Sequence, residues 1–335
     1  MLHLFRCSDA STQSGRTGLD FLRSRYDTDQ FPRAFRLFLE QTLAEYPIGN
    51  GELVGSGNQA QVYRLPAEAA RALGNGPMVK KTFLKINPEA LMEIFIRIRL
   101  GLHPGLLKMH CWGLDPDGSL FYTMPYVDSY HFDDYAWVPP TPFAAISRFI
   151  EIVEVFAYIH HKGVVVRDVK PENVLVGSWR PYVVDFGSSL IQGMTLPHQH
   201  GLFYGNLKFA SPEHFENDPT VLMPSSDLFG LGLMLYEVLR WQVDPEESTI
   251  APLPTMGNLI LAGKSESLRA LVRHYQVPWA IARILLRCLR KKMDIRYRLY
   301  DEKPYLNAEE LLGDLRAISK PELFGFLRWW RSFQS

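Results

Sequence analysis

Four polar residues of the types that act on protons and phosphates fall within one short stretch, residues 164–187. They are Asp168, Lys170, Asn173 and Asp185. Three apolar runs lie around them and predict short strands, so the four side chains fall at strand ends and turns, where they can converge on one point. The alternative for any one of them is a solvated turn in a β-rich core, but the four together favour a functional site.

The pattern R-D-x-K-x-x-N followed by D-F-G resembles the catalytic loop and the metal-binding loop of eukaryotic-type protein kinases. The resemblance implies that ATP is the phosphate donor, that Asp168 accepts the proton of the attacking hydroxyl and that Lys170 stabilises the transferring phosphate. It implies Mg²⁺ ligands in Asn173 and Asp185, whose oxygens suit that ion. With a lysine at position 170, the loop is similar to that of kinases that phosphorylate serine and threonine.

The chain departs from this family at Val166, where a histidine usually precedes Arg-Asp. In the family that histidine mainly packs and braces the loop, so the departure concerns the bracing more than the chemistry. Arg167 is retained, which implies an activation segment ordered by an anion, commonly a phosphorylated side chain.

The composition is that of a globular protein without a large net field. Of 335 residues 47% are hydrophobic, and Lys plus Arg equals Asp plus Glu at 36 each, which argues against nucleic acid as a partner. Cys7, Cys111 and Cys288 are too few and too far apart for a disulfide framework or a zinc site, and favour a reducing compartment. No apolar run is long enough to span a bilayer. We therefore expect a soluble, cytoplasmic protein, although delivery into another cell by a secretion system would leave no readable signal.

Residues 1–48 are predicted to precede the kinase-like region. Residues up to about Gln30 lack apolar periodicity and predict a flexible leader. Apolar residues between 31 and 46 recur at helical spacing and predict a helix that packs on the next part of the chain. A regulatory or partner-binding role is the alternative for that helix.

A hairpin with a glycine-rich turn is predicted for residues 53–63. By resemblance to the kinase loop that covers the nucleotide, Gly55 and Gly57 let the backbone approach the phosphates, and Val62 covers the adenine. Ala60 stands where the family has its third glycine. A G-x-G by itself would indicate only a tight turn.

The next predicted strand, residues 77–85, carries three lysines. The family needs one lysine here, pairing with the α- and β-phosphates and with a glutamate on the next helix. We assign Lys80, because Met78-Val79-Lys80-Lys81 resembles the end of the family's pattern. Lys81 is the alternative, because a slip of one residue reverses the face of a strand to which a side chain points.

A helix is expected after Asn87, which can cap it, although the apolar residues from 94 to 102 alternate as a strand would. The cap and the distance to His103-Pro104, which is similar to a family motif, decide for a helix. They select Glu93 as the partner of Lys80, with Glu89 as the alternative.

Two predicted strands, residues 106–113 and 120–124, lead to a segment that resembles the kinase hinge. The resemblance implies Met124 as the residue before the hinge. Pro125 has no backbone N–H to donate, so the backbone groups of Tyr126 and Val127 are implied to bind the adenine.

Residues 188–213 resemble the activation segment and substrate platform of the family, which implies a protein substrate. Asn206 replaces a threonine that in the family contacts the catalytic aspartate and lysine, and an amide can replace those hydrogen bonds. Ser188, Ser189, Thr195 and Tyr204 are candidate phosphorylation sites.

Two residues farther along are implied to support the site. Asp227, in a pattern similar to D-x-W-S-x-G, is implied to hydrogen-bond the backbone of the catalytic loop. Arg296 is implied to form a buried ion pair with Glu213, with Arg298 as a substitute.

The resemblance covers about residues 53–315 and implies an α+β fold, the bilobal protein kinase-like fold. The small, mostly β lobe would span 49–127, the larger helical lobe 128–320, and an aromatic and basic tail 321–335. We expect the tail to dock on the domain, with a partner or membrane-surface contact as the alternative. The implied function is transfer of the ATP γ-phosphate to serine or threonine of a protein. The alternative is a pseudokinase, a nucleotide-binding scaffold or interaction module.

Overall fold

A computed structural model describes residues 12–46, 48–73, 76–131, 142–178, 180–194, 196, 199–216, 218–243, 279–289 and 303–318. The chain forms two compact units, one from residues 1–129 and 184–200 and the other from residues 130–183 and 201–335. The lobe boundaries drawn from the sequence stay predictions. The predicted tail at 321–335 lies outside the described residues.

Seven strands form the main sheet of the first unit: β1 (Thr12–Thr17), β2 (Thr42–Glu45), β3 (Glu52–Ser56), β4 (Ala60–Arg64), β5 (Met78–Phe83), β6 (Cys111–Leu114) and β7 (Leu120–Pro125). Their order is β1-β2-β6-β7-β5-β4-β3, and every neighbouring pair is antiparallel except β2 with β6. Strand β5 is therefore paired on both sides. Its side chains are buried on both faces of the sheet, with only Thr82 half-buried.

Four helices accompany this sheet: α1 (Gly18–Leu22), α2 (Arg33–Leu39), α3 (Ala67–Leu73) and α4 (Pro88–Leu100). Helix α4 begins as predicted, because the Asn87 side chain accepts a hydrogen bond from the Ala90 N–H at 2.8 Å. Helix α3 lies between strands β4 and β5.

The predicted flexible leader is wrong for the described residues from 12 onward. They form β1 and α1, and Leu19 and Leu22 of α1 are buried in the core. The predicted helix over 31–46 is correct for α2, but its last part is strand β2, whose Glu45 pairs with Leu114 of β6. That pairing partner lies about 70 residues away in sequence, so local periodicity carries no signal for it.

The remaining elements are β8 (Ser129–His131), α5 (Pro142–His161), β9 (Val164–Val165), β10 (Val174–Gly177), β11 (Pro181–Val183), β12 (Leu190–Ile191), α6 (Pro224–Val243), α7 (Trp279–Cys288) and α8 (Ala308–Ile318). The predicted strand 106–113 is shorter than expected, because β6 begins at Cys111. No helix among the described residues is long and apolar enough to cross a membrane.

Helices α5, α6, α7 and α8 make up most of the described second unit. Close packing of α6 on α7 requires a glycine, since a Cβ on Gly232 would lie only 2.5 Å from the Cys288 Cβ. Helices α5 and α8 are joined at the surface by the Arg316 Nη2 to Glu154 Oε1 ion pair of 2.6 Å. The antiparallel pair β10 and β11 carries Leu175 opposite Tyr182.

Candidate active site

The glycine-rich hairpin forms as predicted from β3 and β4. The Gly57 N–H donates to the Ala60 carbonyl at 2.9 Å and closes the turn. A Cβ on Gly55 would meet nothing closer than the Val62 Cβ at 3.7 Å. No neighbouring atom therefore crowds Gly55. Because glycine has no side chain, a ligand can approach the backbone at this position. Val62 is half-buried in β4.

The predicted pairing of Lys80 with Glu93 is wrong. The Lys81 Nζ lies 2.9 and 3.0 Å from the two carboxylate oxygens of Glu93, and 3.2 Å from Asp185 Oδ1. Successive residues of a strand point to opposite faces, so only one of two adjacent lysines can reach helix α4.

Lys80 points to the other face of β5 and is almost fully buried there. Its Nζ contacts the Asp115 carboxylate at 2.9 and 3.0 Å and the Ile48 carbonyl at 2.7 Å, and it lies 5.2 Å from the centre of the Phe121 ring. The sequence did not reveal Asp115 as a partner, because D-P-D-G reads as a turn. Both lysines sit in a strand buried on both faces, so burial pattern could not choose between them.

Glu93 is the centre of a buried polar cluster in the first unit. Besides Lys81, its Oε1 accepts a hydrogen bond from the Tyr122 hydroxyl at 2.7 Å and lies 3.6 Å from Arg97 Nε. Sequence reasoning missed Tyr122 and Arg97. The spacing of Arg97, four residues after Glu93 on one helix, was a signal that could have found it.

The charges in this cluster are strongly coupled. Burial alone would lower the pKa of the Lys81 ammonium, but Glu93, Tyr122 and Asp185 outweigh it and raise that pKa. Burial alone would raise the pKa of Asp185, but Lys81 and the Gly187 N–H outweigh it and lower that pKa to about 2. Lys81 is therefore a cation and Asp185 an anion at neutral pH. The Asp185 side chain is 45% exposed, so a cation from solvent can reach its carboxylate.

The predicted catalytic loop, in the second unit, holds Asp168 in a fixed orientation. The Lys170 Nζ lies 2.7 Å from Asp168 Oδ2. The Asn173 Nδ2 donates to the Asp168 backbone carbonyl at 2.8 Å and to its Oδ2 at 3.0 Å. Within the part of the chain that the structure describes, Asp168 Oδ1 is buried and has no hydrogen-bond partner. This oxygen is therefore an acceptor that the described part of the fold leaves without a donor.

Asp227 supports the loop as predicted. Its carboxylate accepts hydrogen bonds from the backbone N–H groups of Val166 and Arg167, both at 2.8 Å. It also lies 2.9 Å from His160 Nε2, a contact that the sequence did not indicate. These bonds to Val166 use only its backbone, and its side chain is buried in the core. The replacement of histidine by valine is therefore compatible with this bracing of the loop. Arg167 has a φ of 66°, a conformation that the surrounding contacts must hold.

The substrate-platform segment contacts the same loop through His214. The His214 Nε2 lies 3.0 Å from the Arg167 carbonyl, and its Nδ1 accepts from the Ser211 N–H at 3.2 Å. A Cβ on Gly205 would lie 2.7 Å from the Arg167 carbonyl oxygen, so only glycine fits there. Glu213 accepts a hydrogen bond from the Ser226 hydroxyl at 2.7 Å. The proposed partners Arg296 and Arg298 lie outside the described residues.

Asn206 turns its side-chain oxygen toward the Lys208 N–H, at 2.9 Å. Arg167 is covered by the Tyr204 ring, whose centre lies 4.6 Å from its guanidinium carbon. Of the candidate phosphorylation sites, Thr195 lies outside the described residues. Ser189 is buried.

At the predicted hinge, the Tyr126 N–H donates to the Pro77 carbonyl at 2.9 Å. That donor is therefore used inside the fold, which leaves the Tyr126 carbonyl and the backbone of Val127 as candidates for the adenine edge. Met124 is buried at the end of β7.

The donor atoms at the two predicted metal ligands fit Mg²⁺. Asp185 offers an ionised, partly exposed carboxylate. The amide nitrogen of Asn173 makes both of its bonds to Asp168, which leaves its carbonyl oxygen as the atom able to bind a cation. Carboxylate and amide oxygens are the hard ligands that Mg²⁺ prefers.

Comparison with known proteins identifies the family of this chain. The protein kinase domain family matches residues 49–299, and the chain belongs to this family. It is 27% identical over 269 residues to serine/threonine-protein kinase A of Synechocystis sp., covering 72% of this chain and 48% of that protein. It is 30% identical over 296 residues to serine/threonine-protein kinase PkaA of Streptomyces coelicolor, covering 83% and 50%. It is 26% identical over 218 residues to the probable serine/threonine-protein kinase PknB of Lactococcus lactis, covering 64% and 32%. The chain thus spans half or less of the length of these relatives.

Proposed function

We propose that this chain is an ATP-dependent protein kinase that transfers the γ-phosphate to serine or threonine hydroxyls of a protein substrate. The observation that carries the proposal is the state of Asp168. Its Oδ2 is held by Lys170 and Asn173, while its buried Oδ1 has no partner among the described residues. A scaffold that only bound nucleotide would have no use for an oriented, uncommitted carboxylate oxygen.

In this proposal the Asp168 carboxylate accepts the proton of the substrate hydroxyl while the hydroxyl oxygen bonds to the γ-phosphorus. The bond from that phosphorus to the bridging oxygen of ADP breaks, and ADP carries the electron pair away. Lys170 stabilises the charge on the transferring group as a compact cation.

Lys81, not Lys80, is the residue that we assign to the α- and β-phosphates, with Glu93 holding it. The backbone at Gly55 and Gly57 covers the phosphates, and Val62, Met124, the Tyr126 carbonyl and Val127 surround the adenine. Asp185 and Asn173 would hold Mg²⁺, which when bound neutralises phosphate charge.

Three further observations support this assignment. The relatives from Synechocystis and Streptomyces are named serine/threonine-protein kinases. Lys170, in the pattern typical of serine- and threonine-directed kinases, forms an ion pair with Asp168. The two cysteines among the described residues, Cys111 and Cys288, are buried and form no disulfide there, in keeping with a reducing, cytoplasmic location.

A pseudokinase is the second candidate, favoured by Asn206. Its side-chain oxygen is engaged by the Lys208 N–H, whereas the family's threonine at this position contacts the catalytic residues. A chain with this departure could bind nucleotide without transferring phosphate.

Transfer of labelled γ-phosphate from ATP to a generic acceptor protein and to the chain itself separates the two candidates. We expect incorporation with the wild-type protein and a loss of about 10²- to 10⁴-fold with Asp168→Ala and with Asp185→Ala. Equal incorporation in all three proteins, or none with any acceptor, would exclude the proposed activity.

A further inference from the structure

Arg97 is a buried cation to which the proposed function gives no task. It lies on helix α4, and only 5% of its surface is exposed. Burying a guanidinium is costly unless the surrounding groups compensate its charge. The groups that contact Arg97 therefore indicate its role.

The side chain contacts three parts of the candidate site in the first unit. Its Nη2 donates a hydrogen bond to the backbone carbonyl of Val184, the residue before Asp185. Its guanidinium carbon lies 5.2 Å from the centre of the Phe186 ring, the residue after Asp185. Its Nε lies 3.6 Å from Glu93 Oε1, an ion-pair distance without a hydrogen bond.

Tyr122 completes this arrangement. Its ring centre lies 4.6 Å from the Arg97 guanidinium carbon, and its hydroxyl donates to the Glu93 carboxylate at 2.7 Å. The ring thus fixes the plane of the guanidinium on one side.

We propose that Arg97 is a positioning residue that couples the Lys81–Glu93 pair to the backbone of the Asp185 segment. This inference rests on the proposed function, because it concerns the orientation of the proposed Mg²⁺ ligand. Two cations, Lys81 and Arg97, balance two anions, Glu93 and Asp185. When the phosphates of ATP engage Lys81, Arg97 still holds Glu93 and the Val184 carbonyl.

Packing alone does not account for an arginine in this place. Replacing a buried charged group by a well-packed apolar one of similar volume is often neutral or stabilising. A methionine would fill the space between Tyr122 and Phe186 but could not donate to the Val184 carbonyl. The guanidinium also stays protonated in proteins, so its own charge does not switch with pH.

The test compares Arg97→Met, Arg97→Lys and wild-type protein in two titrations, of ATP binding against Mg²⁺ concentration and of phosphotransfer against ATP concentration. We expect Arg97→Met to raise the Mg²⁺ concentration for half-maximal ATP binding about tenfold. Its kcat/KM should fall about 10- to 100-fold. Arg97→Lys should recover part of both, because it keeps the charge but not the planar fork.

Arg99→Met is the matched control, since Arg99 lies on the same helix with its side chain exposed. It should change neither titration. A double variant, Glu93→Gln with Arg97→Met, should lose little more than Glu93→Gln alone, because both changes break the same link.

An Arg97→Met protein that matches wild type in Mg²⁺ dependence would overturn the inference. A loss that tracks only the folded fraction, and vanishes at lower temperature, would overturn it as well. If wild type binds Mg²⁺ and ATP but transfers no phosphate, the proposed activity fails while the Mg²⁺ titration still decides on Arg97. If wild type does not bind ATP with Mg²⁺ at all, both proposals fail.

Discussion

Two neighbouring lysines on β5 have opposite surroundings, which shows how much of the site depends on single residues. Lys81 forms ion pairs with Glu93 and Asp185, whereas Lys80 forms a buried ion pair with Asp115 on the other face of the sheet. Both lysines form buried ion pairs, but only Lys81 has a partner with a carboxylate that solvent can reach, namely Asp185.

Lys81→Met should therefore lower the rate of phosphotransfer about 10²-fold or more, because the phosphates of ATP lose the cation proposed to bind them. Lys80→Met should leave Asp115 as an uncompensated buried charge and reduce the free energy of unfolding by about 3 kcal/mol. Its activity per folded molecule should remain near wild type. Phosphotransfer rates normalised to the folded fraction from circular dichroism provide the measurement.

The double variant Lys80→Met with Asp115→Asn is the control, since it removes both charges of the pair and should recover part of the lost stability. Loss of activity in folded Lys80→Met, with retention in Lys81→Met, would reverse our assignment of the phosphate-binding lysine.

The sequence limited the phosphate-binding lysine to these two residues but could not choose between them. The order of the motifs was enough to predict Asp168 and Asn173 as catalytic residues, because their contacts with each other lie within one loop. The face to which Lys80 points depends instead on the register of β5 between β4 and β7, and on Asp115 more than 30 residues away. Non-local pairing of this kind leaves no periodic trace in the sequence.

His214 is a titratable group in the contact between the predicted substrate platform and the predicted catalytic loop. Burial lowers the pKa of this imidazole below its ordinary 6.5, although Asp227 and Glu213 oppose the effect. The neutral ring accepts from the Ser211 N–H through Nδ1. Its contribution to stability is present above pH 6.5 and is lost as the pH falls through the lowered pKa, because the unfolded chain binds the proton more readily.

We therefore expect the free energy of unfolding of wild type to fall more steeply than that of His214→Gln as the pH falls below 6.5. Urea titrations at several pH values measure this slope. His161→Gln, a change at an exposed histidine of α5, should keep the wild-type slope. Parallel pH profiles for wild type and His214→Gln would show that the ring does not titrate in this contact.

At the scale of elements, the segment before the glycine-rich hairpin braces helix α4. Phe35 and Phe38 of α2 pack against Phe95 of α4 in tilted contacts with ring centres 5.7 and 5.2 Å apart, and Phe38 also lies 5.4 Å from Trp112 of β6. Helix α4 carries Glu93 and Arg97. The aromatic contacts therefore connect the N-terminal elements with the residues that hold Lys81 and Asp185.

Phe38→Ala should reduce the free energy of unfolding by about 3 kcal/mol, because it leaves a cavity between three aromatic rings. It should also weaken ATP binding in the molecules that remain folded, since α4 is less well held. Denaturant unfolding and calorimetric titration with ATP and Mg²⁺ measure the two effects. Leu37→Ala, on the same helix but with a side chain that is 53% exposed, should be near neutral in both.

The helix that faces α4 was predictable because its aromatic residues recur at helical spacing. The strands on either side of it were not. Residues 42–45 fit a helical or an extended pattern equally well, and the edge of the sheet to which they bind is formed by β6, far along the chain. The prediction of a flexible leader for the first residues rested on their polar composition. Composition does not reveal that a few leucines, here Leu19 and Leu22, are buried.

At the scale of the whole molecule, each compact unit contributes one part of the proposed chemistry. The first contains the glycine-rich hairpin, Lys81, Glu93 and Asp185, and the second contains Asp168, Lys170 and Asn173 with Asp227 beneath them. Family membership rests on residues 49–299, which include both sets. The groups proposed to bind the nucleotide all belong to the first set apart from the Mg²⁺ ligand Asn173, whereas a kinase requires both sets.

The most direct test is therefore to measure ATP binding and phosphotransfer on the same samples of wild type and Asp168→Asn. We predict equal affinity for ATP with Mg²⁺ in the two proteins, because Asp168 has no part in holding the nucleotide. We also predict phosphoserine or phosphothreonine in the acceptor with wild type and a decrease of about 10²- to 10⁴-fold with Asp168→Asn. Equal affinities with no phosphoamino acid formed by wild type, or with equal amounts formed by both proteins, would contradict the proposed activity.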